Sequence, residues 1–78
     1  MDTLYIVIES MDAREGGHEV IVHGCFYERE KALTCMELKA KECQKKYDAV
    51  IEQGDGWYNV IHGETYFVFE IKEGHIKN

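Results

Sequence analysis

His23 and Cys25 stand two residues apart in "IVHGCF" (Ile21–Phe26). In a strand that spacing puts both side chains on one face, where an imidazole can act as base to a thiol nucleophile or the pair can ligate a metal. Either site needs more: an orienting group behind the histidine, or one or two further ligands around a tetrahedral zinc. The spacing supplies none. His18, His62 and His75 fall in turns or at the tail, and Cys35 and Cys43 are eight apart rather than in a CxxC pair. "GDGW" and "REGGHE" hold glycines, but neither follows a strand and opens a helix with phosphate-loop spacing. Glu28 and Glu30 belong to an exposed first helical turn, where the positive end of the helix accounts for them better than acid–base catalysis does. These residues predict no catalytic group, no metal site and no cofactor. A small enzyme or ligand-binding domain built on His23 and Cys25 is the alternative.

The elements that would carry these residues follow from periodicity. Leu4, Ile6 and Ile8 alternate with Thr3, Tyr5, Val7 and Glu9, and Val20, Val22 and Phe26 alternate with Glu19, Ile21, His23 and Cys25. Both patterns have the two-residue period of a strand. The intervening "MDAREGGHE" holds a Gly16-Gly17 pair that permits positive φ, so a hairpin is expected. From Leu33 the period changes: Leu33, Met36, Ala40, Cys43, Tyr47 and Val50 recur at intervals of three and four, on one stripe of an α-helix. Glu28 and Glu30 suit its N-terminal end, and Lys45 and Lys46 its C-terminal end. The helix is expected from Glu28 to about Val50, with Gly54-Asp55-Gly56 as the stop; an earlier end near Asp48, followed by a short strand "AVIE", is the alternative. "WYNVI" and "TYFVFEIK", joined by "HGE", make a second hairpin. The expected fold is α+β: an antiparallel sheet of about four strands in the order ββαββ, with one long amphipathic helix on one face.

Seventy-eight residues with no Pro and 45% hydrophobic content predict one folded domain spanning 1–78. The N-terminal "MDTLYIVIESMD" has no basic n-region or small-residue cleavage site, and no run nears the roughly 20 apolar residues of a spanning helix. Three cysteines without a pairing pattern predict reduced thiols and a cytoplasmic location.

The segment "HGCFYEREKALTCMELKA", after a Val-rich strand and before the aromatic strand "TYFVFEIKEG", resembles small bacterial and phage accessory proteins in which a Gly-x-Phe leads into a helix beginning near Glu-Lys-Ala. Tyr27 departs from that pattern, standing where such segments often carry a Ser, Thr or Asp cap. The resemblance implies a compact accessory protein, plausibly phage-encoded and acting in a host cytoplasm, and no particular activity.

One helix covers one face of a sheet. Leu4, Ile6, Ile8, Val20, Val22, Phe26, Phe67, Phe69 and Ile71 are expected beneath it, which leaves Tyr5, Val7, Ile21, His23, Cys25, Tyr66 and Val68 on the open face. So apolar a face predicts a protein contact. Outside Glu28–Asp48 the chain carries ten acids against three bases, and within it five acids against six bases. Direct nucleic-acid binding is disfavoured by that balance, and a protein partner with a basic surface is favoured, with Asp12, Glu15 and Glu19 as an acidic rim. Blocking a host protein that handles nucleic acid is the expected action. A helix of 23 residues, about 34 Å, would overhang strands of typical length, and burial of Tyr47 and Val50 in a homodimer would then follow.

Overall fold

The computed structural model describes residues 2–13 and 16–76. Its elements run β1 (Asp2–Ala13), β2 (His18–Phe26), α1 (Arg29–Tyr47), β3 (Val50–Gly54), β4 (Trp57–His62) and β5 (Thr65–Ile76). All strands pair antiparallel into one sheet, in the order β2-β1-β5-β4-β3, and the helix links its two edge strands. The architecture is α+β as expected, with five strands instead of about four.

The additional strand comes from the end of the helix. Asp48 takes the left-handed conformation (φ 50, ψ 50), and the Asp48 and Ala49 N–H groups turn back to donate to the carbonyls of Lys45 and Gln44, at 3.4 and 3.0 Å. A short polar residue tolerates that conformation better than a β-branched one, and the turn closes the helix at Tyr47, three residues before Val50. Val50 and Ile51 then continue as β3. Gly54-Asp55-Gly56 is therefore not a helix stop. Gly54 pairs with Trp57 across an Asp55-Gly56 hairpin loop in which Gly56 has φ +79. At the other end the N-cap is Glu28, extended and without a side-chain capping bond, so the first turn lacks the usual hydroxyl or carboxylate partner.

The lengths reverse the expected overhang. Nineteen helical residues span about 28 Å, whereas β1 and β5, with twelve residues each, reach about 40 Å. The sheet outruns the helix: residues 2–4 pair with 74–76 beyond the ends of β2 and β4. Tyr47 does not project, since its ring stacks on Phe67 at 5.1 Å, and Val50 lies in β3. The reason for a homodimer through an overhanging helix end is thereby removed.

Ala32, Met36 and Ala40, at four-residue intervals, are buried against Val7, Val60, Phe67 and Phe69. Two alanines on that stripe let the helix axis approach the sheet, while Met36 and the two phenylalanines fill the space between. Phe26, Phe67, Phe69 and Ile71 lie on the helix side as expected. In β1 the expected phase is inverted. Val7 is fully buried and Tyr5 and Met11 pack against the core, so Leu4, Ile6 and Ile8 face away from the helix.

Candidate functional site

The inversion has a cause at Glu9. This residue alternates with Val7 and Met11 and therefore points toward the helix, where a carboxylate needs a partner. His23 provides it: the imidazole Nε2 lies 2.7 Å from the Glu9 carboxylate, both side chains are largely buried, and the imidazole stacks on Phe69 at 6.0 Å. The ladder between β1 and β2 slips between Val7 and Ile8, which pair with Gly24 and Val22, so His23 is the additional residue of a bulge. His23 and Gly24 consequently both face the helix; a Cβ at Gly24 would meet the Phe26 ring at 2.9 Å and lie 3.9 Å from the Cys35 Sγ.

The bulge separates His23 from Cys25. Cys25 pairs with Ile6, is exposed, and looks out from the opposite face of the sheet. The two are not a nucleophile–base pair or a shared ligand set. Among the described residues no group of three or more His, Cys, Asp or Glu side chains converges as a metal site, and all three cysteines are free. Among the described residues no helix is long and apolar enough to cross a membrane.

Two surfaces remain. The first is a cleft of about 360 Å³ between α1 and the first hairpin, lined by Glu9, His23, Cys43, Lys46 and Tyr47 among others. Its Cys43 thiol is pushed up to about 11, by burial first and by the nearby Glu9 carboxylate second, with Lys46 opposing. At neutral pH it is a thiol, which is the weak form for nucleophilic attack.

The second surface is the open sheet face. Tyr66 and Val68 lie on it as expected, and Cys25 does too, but Tyr5, Val7, Ile21 and His23 belong to the helix side. Their places are taken by Leu4, Ile6 and Ile8 of β1, Val20 and Val22 of β2, and Trp57 and Ile61 of β4. Val20 and Val22 are 58% and 59% exposed, and Tyr66 is 48% exposed. Trp57 lies across Gly54, where an added Cβ would overlap the indole, so the glycine lets the ring lie flat on the sheet. Asp12 pairs with Tyr66 and is exposed at the margin of this face, whereas Glu19 pairs with Met11 and so belongs to the helix side, not to this rim; Glu15 lies outside the described residues. Leu4, Ile6 and Ile8 read as the inner set because they are the more uniformly aliphatic, and nothing in the spacing announces that Glu9 finds a partner on the helix side.

Comparison with protein-family models, curated proteins and solved structures finds no match to this chain.

Proposed function

We propose that this protein is a non-enzymatic binding module that docks a partner protein on the open face of its sheet. The observation that carries this reading is the aliphatic and aromatic surface made by β1, β2, β4 and β5 on the side away from α1, which no described element covers. Soluble monomers rarely leave a contiguous patch of this kind without using it. Asp12 and Glu52 stand toward the margins of the face, while Glu70, between Ile8 and Trp57 on the central strand, has Lys72 3.4 Å away. A largely apolar face with carboxylates at its margins fits a partner whose own apolar patch is flanked by Lys and Arg. On a protein that handles nucleic acid such a surface is often the working one, and occupying it would inhibit that protein.

The test takes the partner isolated with wild-type protein and measures its affinity for Tyr66→Ala and Trp57→Ala variants by titration calorimetry. Both aromatics are exposed on the face, Tyr66 near the start of β5 and Trp57 at the start of β4, so each truncation should weaken binding by about 1–3 kcal/mol, or roughly five- to 150-fold. Wild-type affinity in both variants sinks the open-face reading. Leu38→Ala is the control: this leucine is 56% exposed on the outer side of the helix, and its loss should leave binding unchanged.

A further inference from the structure

The edge strand β2 is nine residues long, and its segment from His18 to Val22 is exposed. Among the described residues only its inner side is paired, with β1, so the outer side presents backbone N–H and C=O groups to a further strand. Edges are normally blunted by lysine, proline, a β-bulge or a covering loop, and the bulge at His23 leaves His18–Val22 as the regular stretch of this one. β2 contains no Lys, Arg or Pro.

We propose that β2 is a self-pairing edge: two copies of the chain join β2 to β2 antiparallel across a two-fold axis at Ile21, making one ten-stranded sheet. The partner is fixed by complementarity within the strand itself. Residues directly opposite in an antiparallel pair share a face, so a two-fold axis normal to the sheet must pass through a residue position and not between two. Centred on Ile21, Val20 meets Val22 of the second copy, Ile21 meets its own equivalent, and Glu19 meets His23. Every β-branched residue then faces another, while Glu19 comes opposite an imidazole whose Nε2 is already 2.7 Å from Glu9. Centred on Val20, Glu19 would face Ile21; centred on Val22, Ile21 would face His23 and Val20 a glycine. Ile21 is thus the one of these centres that sets β-branched residue against β-branched residue throughout. The same pairing keeps both helices on one side and merges the two open faces, through Val20 and Val22, into a single surface.

Two variants and two readouts test it. Sedimentation equilibrium of wild type should give a concentration-dependent species of twice 9.1 kDa. Ile21→Lys places like charges directly opposite at the axis and should raise the dimer dissociation constant about tenfold or more. Ile21 is 43% exposed, so the substitution leaves the core intact, which circular dichroism checks. In a Cys25→Ser background, Ile21→Cys should form an intermolecular disulfide on mild oxidation, because opposite Cα atoms in an antiparallel pair are about 4.5–5.5 Å apart, within the range of a disulfide. Val20→Cys should not, since its equivalent lies on a diagonal of about 7–8 Å. The proposal is overturned by a wild type that stays monomeric up to millimolar concentration, by a dimer that Ile21→Lys leaves intact while Tyr66→Ala dissolves it, or by equal cross-linking at positions 20 and 21.

Discussion

At the scale of single residues, the fold assigns distinct behaviour to side chains of one type. Cys25 is exposed on the open face, whereas Cys43 is half-buried beside Glu9 and its thiol is raised from the ordinary 9.0 to about 11. Alkylation at pH 8 followed by mass spectrometry should modify Cys25 well before Cys43; equal rates would mean that Cys43 is not held as described. The linkage has a definite sign. Folding favours the protonated thiol, so this contribution to stability is complete below about 9 and fades as pH rises through 11. The tyrosines divide in the same way. Tyr5 packs against the core and Tyr66 is 48% exposed, so Tyr5→Ala should cost about 1–3 kcal/mol of stability and Tyr66→Ala no more than about 0.5, measured by urea denaturation. Met36→Asp should abolish folding, because it would bury an unpaired carboxylate among Ala32, Ala40 and Phe69.

At the scale of elements, the most informative position is Asp48. It is the one described non-glycine residue with positive φ, and it ends α1 where glycine is the residue most often found. Asp48→Gly should relieve the left-handed strain and stabilise the domain by about 0.5–1 kcal/mol, a rise in Tm of about 3–6 °C. A lower Tm would show that the aspartate contributes more through its side chain than its backbone conformation costs. The same position explains what was legible in the sequence. The middle of the helix was readable because Met36, Ala40, Cys43 and Tyr47 keep a period that no strand has, and the inner side of β5 was readable because Phe67, Phe69 and Ile71 outweigh the alternate set. The end of the helix was ambiguous because Val50 continues the stripe, and only the left-handed cap decides between helix and strand. In β1 both alternate sets are apolar and the more uniformly aliphatic one, Leu4, Ile6 and Ile8, reads as inner, whereas the set that faces the helix includes the charged Glu9. Its partner His23 is fourteen residues away and reaches it only through a bulge that no periodicity announces.

At the scale of the whole molecule, the charge is carried mostly outside the helix, and the apolar open face and its acidic margin should act on different steps of binding. The α1 cations are largely spent on neighbouring acids, as in Lys41–Glu37 at 2.8 Å and Lys31–Glu28 at 3.1 Å, so the net charge of −6 is expressed chiefly by the sheet and its loops. With all three cysteines free, a thermal melt should be the same with and without reductant. Long-range attraction guides encounter with a basic partner and is screened over about 8–10 Å at ordinary ionic strength. Short-range packing of aromatics governs how slowly the complex comes apart. Asp12 and Tyr66 make this separable, because they are paired across β1 and β5 on the same face, one charged and one aromatic. In surface plasmon resonance Asp12→Asn should lower the association rate about two- to threefold at 50 mM salt and have little effect at 500 mM, with dissociation nearly unchanged. Tyr66→Ala should raise the dissociation rate at both salt concentrations and leave association within about twofold. If Asp12→Asn instead speeds dissociation to the same extent as Tyr66→Ala, the aspartate is buried in the contact rather than at its margin, and the docked partner reaches past β5 to the tip of the first hairpin.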